Sequence, residues 1–112
     1  MFDPEQIVGF EWDAGNARKS VAKHGVNQAE AEQVFFNDPL LVVDDVRHSG
    51  AEPRLHALGR TDAGRLLHAI FTLRPEGRPE GRPEGRGDGR LIRVISARDM
   101  SRRERVRYGD EA

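Results

Sequence analysis

Apolar residues recur along this chain with two different periods. Val8-Gly9-Phe10-Glu11-Trp12 alternates and predicts a short strand. Asp13 is then placed to cap a helix reaching about His24, and Gly25 stands where a helix ends. Asn27 opens a second helix, with Glu30 in the capping-box position. In that helix Ala31, Val34 and Phe35 fall on one face, and Asn37-Asp38-Pro39 stops it. After Pro39 the period drops to two. Leu40-Leu41-Val42-Val43 predicts a strand ending near Asp44-Asp45, residues 54–60 a second, Leu66 to Leu73 a third and Leu91 to Ala97 a fourth. Thr61-Asp62-Ala63-Gly64 is a turn, and Ser101 with Glu104 caps a last short helix to about Tyr108. Sequential strands with short turns predict an α+β fold: a short strand and two helices, a mostly antiparallel four-stranded sheet, and a C-terminal helix.

The third strand sorts its side chains cleanly. Leu67, Ala69, Phe71 and Leu73 share an apolar face that should meet the helices, while His68, Ile70, Thr72 and Arg74 share the other. Arg93, on the partner strand, can face the same side as Thr72 or Arg74. One sheet face then presents several cations over Thr and Ile, with an ordinary solvated face as the alternative. Strict alternation sets Arg98 opposite Arg93 unless the strand ends or bulges near Ser96-Ala97, and Glu104 offers it an anchor on the last helix.

Residues 74–90 break the pattern: Arg-Pro-Glu-Gly runs three times, then Arg-Gly-Asp-Gly, then Arg90. A Pro- and Gly-rich repeat cannot build a core, so it reads as a long tip joining two paired strands. It serves either as a substrate clamp or as a slippage expansion with no role. The 112 residues then form one domain with an insertion at 75–89.

Composition narrows the class. With 37% hydrophobic and 33% charged residues, a small core is possible under a very polar surface. No apolar run is long enough to span a membrane, and Met1-Phe2-Asp3-Pro4-Glu5 lacks the regions of a signal peptide. Cysteine is absent, which leaves no disulfide and no thiolate metal site, and a cytoplasmic location is expected. Residues 1–52 carry a net charge of −6 and residues 53–112 a net of +5. The basic half suits an anionic partner, or the two halves attract each other. Sixteen of the eighteen cations are Arg, whose planar fork suits phosphate.

His24, His48, His56 and His68 show no metal-ligand spacing, and no P-loop, dinucleotide or nucleophile-elbow motif is present. Neither metal nor cofactor is expected. What remains is a basic set, Arg74, Arg90, Arg93, Arg98, Arg102, Arg103, Arg105 and Arg107, with Tyr108. Beside Arg54, His48 and Glu52 form either a proton-transfer pair or a loop network that orders the strand start.

Phe10-Glu11-Trp12-Asp13, Lys23-His24-Gly25-Val26, His48-Ser49, Glu52, Arg54, Phe71-Thr72-Leu73-Arg74, Ile92-Arg93-Val94-Ile95-Ser96-Ala97-Arg98, Arg103-Glu104 and Tyr108 stand in the order seen in the BrnT toxins, and over residues 8–108 the chain resembles that family. The resemblance implies a RelE-like fold, metal-independent ribonuclease activity that inhibits translation, and neutralisation by a BrnA-like antitoxin. DNA would be contacted only through that antitoxin's ribbon-helix-helix part. RNA cleaves when its 2′-OH attacks the adjacent phosphate, so the enzyme must align the attack, hold extra negative charge and move two protons. Arg74, Arg93 and Arg98 are the candidates for the charge, and His48, Glu52 and Tyr108 for the protons. Arg54, Arg90, Arg102 and Arg103 are candidates for RNA binding. The repeat stands where the family usually has a short turn, so Arg78, Arg82, Arg86 or Arg90 is a possible equivalent of Arg74. A binding module without turnover, acting as a corepressor, is the competing class.

Because loop closure entropy grows slowly with length, deleting residues 75–89 is expected to leave a folded, active protein. Loss of the cooperative thermal transition in the deletion variant would show that the tip is structural.

Overall fold

The computed structural model describes residues 3–45, 52–75 and 89–111. A 3-10 turn at Pro4–Gln6 leads into β1 (Ile7–Phe10), α1 (Ala14–His24) and α2 (Gln28–Gln33). Four strands follow, β2 (Leu41–Asp45), β3 (Arg54–Arg60), β4 (Leu66–Pro75) and β5 (Arg90–Asp99), and α3 (Arg102–Glu111) comes last. The sheet order is β1-β5-β4-β3-β2. Strands β2 to β5 pair antiparallel with their neighbours, as the pattern predicts. The four-stranded expectation is corrected by β1, which joins as a fifth strand parallel to β5, with Phe10 opposite Ile92. A parallel pair needs a crossover and leaves no local turn signal, so it could not be read from neighbouring residues.

The expected helix starts are present. Asp13 Oδ1 accepts the N–H groups of Gly15 (2.9 Å) and Asn16 (3.0 Å). The Asn27–Glu30 box closes in both directions, and so does the box of Ser101 and Glu104. These caps satisfy donors that the first helical turn leaves free. Gly25 follows α1 with φ 64°, a left-handed conformation that glycine adopts without a Cβ clash.

The core lies on one face of the sheet. Leu55, Ala57, Leu67, Ala69, Phe71, Ile92, Val94 and Ala97 are buried there against Val26, Ala31 and Val34. Phe35 meets Phe71 edge-on, with ring centroids 5.0 Å apart. Gly59 permits this contact: a Cβ at that position would stand 3.0 Å from both the Cβ and the carbonyl oxygen of Val34. On the opposite face α3 covers one end of the sheet, where Leu58, Met100 and Tyr108 pack with Leu41 and Leu66. The other end of that face stays polar.

One irregularity sets which residues reach the polar end. Ile70 pairs with Ser96, but the next residue, Phe71, pairs with Val94, so Ile95 is an extra residue in β5. Such a bulge resets the alternation of faces. Ile92 and Val94 before it and Ala97 beyond it all point into the core. Arg93, opposite Thr72, and Arg98, opposite His68, therefore share the polar face although they lie five positions apart, an odd step that strict alternation would send to opposite faces. Asn16, buried at the start of α1, donates Nδ2 to the Val94 carbonyl (3.0 Å) and to the Glu11 carbonyl (3.1 Å). This ties α1 to β5 beside the bulge.

Removing Ile95 should convert β5 to a regular strand with every core residue still facing inward. The deletion variant is expected to unfold cooperatively in a denaturant titration. Loss of cooperative unfolding would show that Ile95 belongs to the regular ladder.

Candidate functional site

Period two along β3 and β4 brings Arg54, Thr72 and Arg93 into one row across three strands, and Arg74 follows Thr72 on the same face. A cleft of about 310 Å³ opens over this row. Gly15, Asn16 and Lys19 of α1 form one wall; Glu52, Arg54, Thr72, Arg74, Arg93 and Ile95 complete the lining. Thr72 Oγ1 donates to the Pro53 carbonyl at 2.7 Å, which fixes where β3 begins and hence where Arg54 projects.

Carboxylates hold the guanidiniums in place. Arg93 reaches Glu11 Oε1 (3.1 Å) through Nη1 and Asp13 Oδ2 (2.9 Å) through Nη2. Arg74 reaches the same Glu11 oxygen (3.3 Å) and Glu52 Oε2 (3.0 Å). Glu11 thus joins two guanidiniums side by side. The Asn16 N–H, and with it Arg93, holds the Asp13 carboxyl below its usual range. Pairs this exposed add little stability. Their effect is geometric, because each fork is oriented before an anion arrives.

The expected site residues divide between this cleft and the rest of the molecule. Arg54, Arg74, Arg93 and Glu52 come together in it. Arg98 instead grips Glu104 with two hydrogen bonds, 2.8 and 2.9 Å, and so anchors α3. Tyr108 is buried; its hydroxyl donates to the Pro39 carbonyl at 2.6 Å, and burial raises its pKa. Arg90 starts β5 and donates to the Gly89 carbonyl. Arg102 and Arg103 are exposed on the first turn of α3, and Arg103 lines a second cavity. His48 lies outside the described residues. Glu11 and Asp13 complete the cleft although the sequence assigned them no chemistry. Eighty or more positions separate them from Arg93, so only the parallel pairing of β1 and β5 could reveal them.

A second polar cluster was also missed. His56 Nε2 lies 2.8 Å from Asp45 Oδ2, and His56 Nδ1 lies 2.6 Å from His68 Nε2. The two rings are nearly parallel, inclined by only 5° with centroids 4.9 Å apart. His68 Nδ1 then faces Glu104 Oε2 at 3.5 Å. Burial pushes the His68 pKa down to about 4. For Glu104, burial works to raise the pKa, but the Arg98 hydrogen bonds and the Ser101 N–H together bring it down to about 2.

Residues 12–104 match a family described as the ribonuclease toxin BrnT of type II toxin-antitoxin systems. No curated protein matches the chain.

The histidine cluster predicts an acid-sensitive fold. His68 is held below its unfolded value of 6.5, so between about pH 6.5 and 4 the unfolded chain binds more protons. Its contribution is complete above that window and is lost as pH falls through it. Glu104, held below 4.5, loses its contribution further down in the same direction. Lowering the pH from 7 to 5 should cost about 1 to 2 kcal/mol in urea denaturation. In His68→Gln this slope should flatten; an unchanged slope would place the titrating group elsewhere.

Proposed function

The chain belongs to the BrnT family of ribonuclease toxins of type II toxin–antitoxin systems, and from that premise we propose that it cleaves RNA in the arginine cleft without a metal. The cleft itself carries the reading: two oriented guanidiniums and a third basic strand residue stand beside an accessible carboxylate. Arg93 and Arg74 hold the scissile phosphate and stabilise the charge that develops when the 2′-OH attacks. Glu52, at the open side of Arg74, accepts the 2′-OH proton. Glu11 and Asp13 position Arg93 and Arg74 and give way as the phosphate enters. Arg54 and Lys19 guide the flanking backbone. His48 is the candidate donor to the leaving oxygen.

The same reading covers the biological setting. Residues 1–112 act as one toxin unit with an insertion at 75–89, and the antiparallel run of β2 to β5 supports a RelE-like assignment. The partner is a BrnA-like antitoxin, and the target is cytoplasmic RNA, whose loss stops translation. No helix among the described residues is long and apolar enough to cross a membrane. The carboxylates already occupying Arg74 and Arg93 favour one second reading, a chain that has lost turnover and serves only as the antitoxin's corepressor.

Cleavage by the purified protein is expected to persist in EDTA; loss on chelation with rescue by a divalent cation would overturn the mechanism. In single-turnover assays, Arg93→Ala should lower the rate about a hundredfold, the effect of losing one donor to a developing anion, and should weaken RNA binding much less. Equal losses in rate and affinity would make Arg93 a binding contact only. A wild-type protein that binds RNA and never cuts it would favour the corepressor.

A further inference from the structure

β2 is the outermost strand of the sheet, and among the described residues no strand pairs with its far side. Such an edge offers backbone donors and acceptors to another chain. Val42 and Asp44 stand opposite Ala57 and Leu55, both buried in the core, so they point to the helix face, the reverse of the arginine cleft. On that side a groove of about 690 Å³ opens beside β2. Phe35, Leu40 and Val42 line it, and all three are only partly buried although they pack against the core. Phe36, next in the chain, is 75% exposed. Two exposed carboxylates, Asp38 and Asp44, also line the groove. Among the described residues neither has a hydrogen-bond or ion-pair partner. Apolar surface, a free strand edge and two unpaired acids thus meet in one place.

We infer that the antitoxin docks here, through an extended segment that pairs with the edge of β2, lays apolar side chains on Phe35, Leu40 and Val42, and brings Lys or Arg to Asp38 and Asp44. The inference rests on the antitoxin partner proposed above and adds the surface, the mode of docking and the chemistry of the segment. Charge selects the occupant. RNA is turned away, because its phosphates are repelled by the same carboxylates. A second copy fits poorly. Two β2 strands paired antiparallel about Val43 would bury Asp44 against Val42 and Asp45 against Leu41, and pairing about Asp44 would oppose two carboxylates. Residues 1–52 carry a net charge of −6, so a cationic segment is also drawn in from a distance. In an added strand, main-chain hydrogen bonds supply affinity, and alternate side chains enter the groove. Because the groove lies on the reverse of the arginine cleft, this segment leaves Arg74 and Arg93 uncovered. It anchors the antitoxin and does not plug the cleft.

Calorimetric titration of the intact chain with its purified antitoxin tests this. Asp44→Lys is expected to bind about tenfold more weakly than the wild type, because it sets like charges against each other across the interface. Asp110→Lys, an equal change of charge at an exposed position of α3, should bind as the wild type does. A second measurement needs no variant: in the wild-type complex, the outward amide protons of β2 should exchange more slowly with solvent than in the free chain. Wild-type affinity in Asp44→Lys, equal weakening by Asp110→Lys, or unchanged exchange in β2 overturns the docking surface. Protection of β2 in the free chain that grows with its concentration would assign the edge to a second copy instead. The readouts keep the proposals apart. A wild-type chain that binds no antitoxin removes the partner itself, whereas tight binding that Asp44→Lys leaves unmoved removes only this surface. Neither measurement depends on RNA cleavage.

Discussion

The extra residue in β5 is the constraint on which the rest of this molecule turns. Ile92, Val94 and Ala97 must all face the core, and strict alternation forbids that without an insertion at Ile95. Once the insertion is made, Arg93 and Arg98 emerge on one face and divide the work. Arg93 enters the cleft with Arg54 and Arg74, while Arg98 locks α3 over the far end through Glu104. Asn16 meets the Val94 carbonyl at the same place and brings the α1 wall and Asp13 to Arg93. Core packing, helix attachment and the basic cleft are thus settled by one backbone irregularity.

Electrostatics then separates the two ends of the polar face. In the cleft, partly exposed arginines are shared among carboxylates, an arrangement that orients them at little cost. Beneath α3 the opposite holds. The Asp45–His56–His68–Glu104 chain is largely buried and its two hydrogen bonds are short. One end leaves its arginines partly exposed, and the other ties α3 to the sheet through Arg98 and Glu104. The ribonuclease chemistry proposed here needs the first.

Local chemistry was legible in the sequence; distant pairing was not. Both capping boxes, the cap at Asp13, the stop at Gly25 and the apolar face of Leu67, Ala69 and Phe71 follow from patterns within a few residues, and the structure contains them all. The reach of Arg98 to Glu104 was within range for the same reason. The addition of β1 beside β5 was hidden because parallel strands share no turn. With it went Glu11 and Asp13, the partners of Arg93. His56 and His68 were read for metal spacing, and His68 for its face of the strand, but not as a pair. They meet because β3 and β4 form a hairpin whose register puts His56 opposite Ile70 and His68 opposite Leu58. Tyr108 drew notice as a proton carrier, yet a phenol that fills a small apolar cluster and donates to a carbonyl has its proton already committed.

The central claim is that arginines, acting with a carboxylate, direct the RNA's own 2′-OH onto the adjacent phosphate. The chemical ends of the products report on it most directly. RNA incubated with the purified protein in EDTA should give fragments ending in a 2′,3′-cyclic phosphate, with a 5′-OH on the downstream piece. Fragments ending in a 3′-OH and a 5′-phosphate would mean that water attacked instead, and would contradict the account.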